Sequence, residues 1–535
     1  MPKAMLNRTF PHAWLLLAWL ASSALALSCD VVVDTKGRES CTTHAECTAR
    51  FGEPSACVRA ACTQLLTKEC TEVWPPNALA QDSVLLIGFM GALQGDSASY
   101  GTPTKEGAEL AVQEIETNNH GLPASTEKSG QRHLAMLVCD HGSDPSQVAR
   151  HLVEDANVPV IIGASFSSTT LQIFDDVAHA ANVLVLSPSA TSPALTTHPD
   201  DGLLWRTAPS DVVQAELLKF LAVDVEHALQ QRNVLPAGKN AKIAMPTKND
   251  SAGLGLAAAA TSINPDSPTP APVVDVGLPD QYPNPDAQPA NQPVDWKPHI
   301  QSILDYTPDI ILAMGTGEFV INMMPAIEGG WDPSLPRPWY LLPEGDRVSQ
   351  LTDWVAQNPG YGLSERILGT APGARRSALY EGFRTRFLMA FNQREPGNLA
   401  EFGYDAGYLV AYAIAIANQP EPSGRQLAEA MKQMSCLDRA PVPAGPGSFS
   451  GYFTTAARVG CINFDGASGP LDFNPDTGEA LSDIAMWCVR PTTGANFSFE
   501  PTLDSYYSVE QSAVAVVPGK APLDLSANGW CKPAP

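Results

Sequence analysis

The chain has 535 residues, more than one domain usually holds, and 44% of them are aliphatic, aromatic or cysteine, too many for a disordered protein. Lysine and arginine number 33 against 57 aspartates and glutamates, a formal charge of −24. A surface that acidic, with no basic run to interrupt it, repels nucleic acid and anionic lipid and excludes a nucleic-acid partner.

Residues 1–28 read as an export signal. Lys3 and Arg8 stand without an acid in residues 1–12, and the apolar run from Ala13 continues through small residues to Leu27, too short for a comfortable membrane span. Two processing readings stay open. Ala24-Leu25-Ala26 fits the small-x-small pattern of an ordinary signal peptidase, whereas Ala26-Leu27-Ser28-Cys29 is similar to a bacterial lipobox, with Ala26 where Leu is usual. Eleven cysteines are an odd number for an exported protein, and setting Cys29 aside as a lipid anchor leaves ten, compatible with five disulfides. We expect Cys41, Cys47, Cys57 and Cys62 to pair among themselves, Cys70 with Cys139, and Cys436, Cys461, Cys488 and Cys531 among themselves; a free buried thiol is the alternative. Residues 29–75 are Cys-dense and have no continuous apolar pattern, so disulfides rather than a core would hold them, and the single His44 speaks against zinc. No later segment is long and apolar enough to span a bilayer, so any membrane contact is expected through the lipid alone.

From Ser83 the texture changes to alternating buried strands and amphipathic helices. Strands are expected at residues 83–90, 133–139, 158–162 and 183–187, with helices at 104–116, 145–155 and 168–180 between them. A second series follows: strands at 242–245, 310–314, 338–342 and 367–370, with helices at 254–261 and after Glu318. This alternation specifies βαβ units, an α/β fold of doubly wound parallel sheet with helices on both faces. Residues 262–297 hold nine prolines and are expected to be a surface insertion, neither helix nor central strand. Helices at 376–390 and 400–417 come next, then a Gly/Pro-rich end with short strands after Cys436.

Enzyme motifs fail on inspection. Gly95-Asp96-Ser97 would need a histidine base late in the chain, and the last histidine is His299. Gly253-Leu254-Gly255 lacks the third glycine and the following acid of a dinucleotide site, which favours tight helix packing. No His-Glu-x-x-His, Walker loop or His/Cys cluster occurs, and Asp140-His141 is an isolated pair, so neither catalytic residue, metal nor cofactor is expected. What stands out is hydroxyl-rich loops after strands: residues 163–170 and 187–193. In an open α/β sheet such loops meet ligands at the carboxyl ends of the strands and suit an anion such as a carboxylate; helix capping by Ser and Thr is the alternative reading.

Stretches across residues 82–510 resemble the type I periplasmic solute-binding proteins, the leucine/isoleucine/valine-binding branch that serves ABC importers. They include Gly91-Ala92-Leu93 with Tyr100-Gly101, residues 107–112, Asp144-Pro145, residues 161–164, residues 187–196, Arg206 to Asp211, Tyr404-Asp405-Ala406 and residues 466–473. The resemblance implies two doubly wound lobes joined by a three-segment hinge: lobe 1 from 82–207 and 372–455, lobe 2 from 208–371, and a C-terminal return over 456–535. It further implies that Ser167 and Thr191 hold an amino acid's carboxylate, and that Ala190, between Ser189 and Thr191, is a ligand-binding residue as well. The Ser189 carbonyl and Glu344 would take the ammonium, and Tyr100 and Asp211 would wall the pocket. Where the family often has a Tyr covering the ligand this chain has Ala252, which enlarges the pocket. The implied function is an exported, periplasmic or surface, lipid-anchored binding protein that delivers an amino acid or small carboxylate to an ABC permease. The alternatives are a sensor signalling to a membrane partner, and a surface protein whose cleft is empty.

Overall fold

The computed structural model describes residues 40–531 except 82, 96, 126–129, 265–270, 290–291, 374–376, 447–448, 492–496, 518–519, 521 and 528–529. The export signal and Cys29 lie outside the described residues.

Each of two eight-stranded sheets has five parallel strands at its heart. In the first, Leu204–Arg206, Leu184–Ser187, Val160–Gly163, Val84–Gly91 and His133–Asp140 lie side by side in that order. The second runs Leu278–Pro283, Ile243–Asn249, Ile310–Leu312, Trp339–Leu342, Ile367–Pro372. Both repeat one winding: the second strand in chain order sits outside the first, and the order reverses between the first and the third. In the second sheet the pleat feeds two cores at once. Ile310 and Leu312 join the core beneath helix Asp211–Gln231, while Ile311 joins the opposite one with Phe319 and Met323. Near-continuous apolar strands are what a sheet buried on both faces requires.

The chain passes between the sheets three times: after Leu204–Arg206, after Ile367–Pro372 and before Ile484–Pro491. After the last crossing, Ile484–Pro491, Phe497–Ser508 and Ala513–Val516 extend the second sheet antiparallel. Among the described residues no helix is long and apolar enough to cross a membrane.

The disulfides are Cys41–Cys57, Cys47–Cys62, Cys70–Cys139, Cys436–Cys461 and Cys488–Cys531, within the expected groups. The second clamps helix His44–Phe51 to the hairpin Ser55–Val58/Ala61–Gln64, and the first ties the segment leading into that helix to the same hairpin. Residues 70–74 depart from the Cys-dense segment to which composition assigned them: Cys70–Trp74 is an antiparallel edge strand of the first sheet.

The proline-rich stretch is also more ordered than expected. Leu278–Pro283 pairs parallel with Ile243–Asn249 and buries Tyr282 completely. Proline is tolerated there because an edge strand needs donors on only one side. Helix Asp211–Gln231, helix Phe449–Val459 and the 12-residue strand Phe497–Ser508 had no counterpart in the sequence reading.

Candidate binding site

The reversal points of the two sheets face one another, and between them lies a narrow cavity. That is where an open α/β sheet leaves a crevice, because successive loops diverge to opposite faces. The first sheet contributes Tyr100, beyond strand Val84–Gly91; Ser165, Phe166 and Ser167, after Val160–Gly163; and Ser189 and Thr191, after Leu184–Ser187. The second contributes Asp250 and Ala252 after Ile243–Asn249, Thr316 after Ile310–Leu312, and Glu344 after Trp339–Leu342. Asp211 opens the helix that follows the first crossing.

The wall from the first sheet is neutral and built from hydroxyls and backbone. Helix Ser167–Ile173 starts after Phe166, and no side chain caps it, so the capping explanation for this loop does not hold. At the next loop it holds in part: Ser192 Oγ accepts from the Ala194 N–H at 3.2 Å. The two loops are tied together, Ser192 N–H donating to Ser167 Oγ (3.1 Å) and Ser189 Oγ to the Ser165 carbonyl (2.9 Å). Tyr100 stacks on Phe166 with ring centres 5.3 Å apart and donates its hydroxyl to the Ser189 carbonyl at 3.3 Å.

Charge comes from Glu344 on the second sheet and from Asp211, which sits against the first wall, its N–H donating to the Thr191 carbonyl at 2.8 Å. Glu344 is 5% exposed and Asp211 2%, and no Lys, Arg or His is among the described residues lining the cavity. Burial, then the Glu344 carboxylate, pushes the Asp211 carboxyl well above its ordinary range, against a Thr191 hydrogen bond and Arg206. Burial raises Glu344 too, opposed by a hydrogen bond from Gln214. Asp211 Oδ2 and Gln214 Oε1 are buried acceptors with no hydrogen-bond partner among the described residues. A group that satisfies them must donate, and a cation would relieve both carboxylates.

Of the residues singled out from sequence, Tyr100, Ser167, Ser189, Thr191, Asp211 and Glu344 come together around this cavity. Ala190 does not line it; it is fully buried, its N–H donating to Ser187 Oγ at 3.0 Å. Two further residues support the site. Arg206, 2% exposed, donates to the Ser192 carbonyl (2.8 Å) and Thr196 Oγ1 (2.8 Å) and pairs with Glu479, bracing the 190–196 loop from behind. Gln214 donates from Nε2 to Glu344 and to Thr370 Oγ1 (2.9 Å). It lies one helical turn from Asp211, a spacing that could have flagged it.

The two walls touch beside the cavity. Ser192 Oγ donates to the Ser251 carbonyl at 2.6 Å, and a side chain at Gly255 would place its Cβ 2.7 Å from Pro193 Cδ. At Gly253 a Cβ would lie 2.4 Å from the Lys248 carbonyl, so this glycine pair serves close packing.

A profile for the periplasmic binding protein family matches residues 85–486. A leucine-, isoleucine-, valine-, threonine- and alanine-binding protein from Pseudomonas aeruginosa is 31% identical over 149 residues, 27% of this chain and 37% of that protein. A Leu/Ile/Val-binding protein from Escherichia coli strain K12 is 33% identical over 122 residues, 22% of this chain and 30% of that one. The matched segments therefore span about a third of these curated relatives. In fold the chain is similar to a branched-chain amino acid transporter substrate-binding protein from Streptococcus pneumoniae in complex with isoleucine (TM-score 0.54, 18% identity, 78% of this chain and 99% of that one). It is also similar to an ABC-transporter solute-binding protein from Rhodopseudomonas palustris BisB5 in complex with 3,4-dihydroxybenzoic acid (TM-score 0.53, 17% identity, 78% and 96%). With the profile spanning most of its length, and with two facing parallel sheets crossed three times by the chain, the protein belongs to the periplasmic binding protein family and has its type I fold.

Proposed function

We propose that the protein is an exported solute-binding protein that captures an amino acid between its lobes and presents the closed form to an ABC importer. One observation carries this reading: uncapped backbone and hydroxyl donors stand on one side of the cavity and the buried Glu344 carboxylate on the other, with unsatisfied acceptors at Asp211 and Gln214. A zwitterion complements both sides at once, and only when the sides are together, so closure depends on ligand. Ser167 and Thr191 bind the ligand carboxylate. Glu344, Asp211 and the second lone pair of the Ser189 carbonyl receive the ammonium, and Tyr100 with Phe166 covers the aliphatic part. The lobes in this reading are residues 82–207 with 372–455, and 208–371; the three crossings act as the hinge. Cys29 anchors the mature chain to a membrane by lipid.

Calorimetric titration of the purified chain with amino acids and with benzoate tests the reading. Amino acids bind and benzoate does not, because benzoate leaves the acids unpaired. Binding of benzoate alone, or equal binding by Thr191→Ala and Glu344→Gln variants, would refute the assignment.

A further inference from the structure

A second, roomier cavity continues from the first, sharing Tyr100, Phe166 and Thr316 as common walls. Its remaining walls mix apolar and acidic groups: Ile321 and Val348 on one hand, Asp286 and Glu318 on the other, with no Lys, Arg or His among the described lining residues. Between the cavities the chain runs from Glu344 through Gly345, which lines the second, to Asp346. Asp346 is 0% exposed, and neither carboxylate oxygen has a hydrogen-bond partner among the described residues. Its electrostatic neighbours are Glu318, Glu344 and Lys248, and it is not itself among the residues lining either cavity.

The local charge does not balance. Lys248, 1% exposed, is shared among Asp286 (3.2 Å), Asp250 (3.4 Å) and Glu318 (3.9 Å). Glu318 has other donors, the Tyr282 hydroxyl at 2.8 Å and the Thr316 N–H at 3.0 Å, but these are neutral. Four carboxylates thus meet one ammonium, and the one with no hydrogen-bond donor is the most deeply buried. An aliphatic ligand side chain entering this space would strip solvent from those acids and return nothing, whereas a cationic one would donate to them.

We infer that the ligand is a basic amino acid, whose side-chain cation extends past Tyr100 into the second cavity and is held by Asp286 and Glu318, with the buried Asp346 behind Gly345 adding to the negative potential there. The inference rests on the amino-acid reading of the first cavity and specifies its side chain. The Ile321 and Val348 surfaces accommodate the methylenes, and the carboxylates beyond receive the terminal donors.

Calorimetry on the full chain with L-lysine and with L-norleucine, which matches its aliphatic stem without the amine, separates the two ideas. The expected result is lysine binding at least ten-fold tighter than norleucine, with Asp286→Asn reducing that ratio about ten-fold, the size of one charge-assisted hydrogen bond. Glu318→Gln should reduce it as well; Asp286, half exposed on a short surface turn, is the safer variant for folding. Norleucine binding as tightly as lysine would overturn the inference and leave amino-acid capture standing. A lysine preference unmoved by both variants would also overturn it. If neither ligand bound, this inference would be overturned, and titration with the other amino acids would decide the capture reading separately.

Discussion

The two lobes share one winding and point the same part of it at the cavity, yet they present opposite chemistry. After the first and third strands of lobe 1 stand Tyr100, Ser165 and Ser167; after the first and third strands of lobe 2 stand Asp250 and Thr316. The fourth strands repeat the contrast, with Ser189 and Thr191 against Glu344. Topology therefore sets where the cavity lies, and in the proposed reading the loop residues set which end of the ligand each lobe holds. A site divided in this way is complete only when closed, which is how ligand binding can be coupled to a change of shape.

The largest expected effect comes from the brace behind the neutral wall. Arg206→Ala strands Glu479 and the 190–196 carbonyls in a buried setting and should cost about 3–5 kcal/mol of folding stability, measured by urea denaturation. Next come the two walls themselves. Thr191→Ala and Glu344→Gln should each weaken amino-acid binding by roughly ten- to a hundred-fold, the loss of one charge-assisted hydrogen bond. They should differ without ligand: Glu344→Gln removes a buried charge and keeps an acceptor for Gln214, so its melting temperature should not fall.

Gly255→Val should act on the contact between the walls. The new Cβ meets Pro193 only when the lobes are together, so affinity should drop about ten-fold. The unliganded melting temperature should hold, since Val at this helix position touches the other lobe and not its own core.

The pH dependence is expected to be smaller and to have opposite signs in the free and bound forms. Asp211 and Glu344 are both raised by burial, and Asp405 is raised by the same cause to about 7. An acid raised on folding costs nothing below its unfolded value, about 4, and costs in full above its folded one. The free protein should therefore lose stability as pH rises from about 4 to about 7, the window Asp405 defines. Binding of an ammonium needs the Asp211 and Glu344 carboxylates ionised, so affinity should weaken as pH falls and protons should be released on binding. Calorimetry in two buffers of different ionisation enthalpy would detect that release.

Much of lobe 1 was legible because apolar strands there alternate with polar hydroxyl loops, and each loop marks a strand's carboxyl end. The lobe 2 acid Glu344 was visible only through resemblance, since a single acid in a loop looks solvated until the fold closes over it. Helix Asp211–Gln231 escaped because its buried residues, from Val213 and Gln214 to Leu218 and Lys219, leave no clean polar stripe. With it went Gln214, whose partners Glu344 and Thr370 lie 130 and 156 residues away in sequence. The strand inside the proline-rich stretch was masked by a composition that an edge position alone permits. Asp405, one of the stretches carrying the resemblance, proves to be structural: its carboxylate accepts the Ala467 and Ser468 N–H groups at 2.8 Å each.

The division of labour between the lobes can be tested most directly by pairing a change in the ligand with a change in the protein. The amino acid that binds best and its des-amino analogue would be titrated into the unaltered protein and into Glu344→Gln and Thr191→Ala. If lobe 2 holds the ammonium, removing it should cost at least about 1.4 kcal/mol more in the unaltered protein than in Glu344→Gln, a ten-fold coupling, with no such coupling to Thr191→Ala. Equal losses in all three proteins would contradict the account.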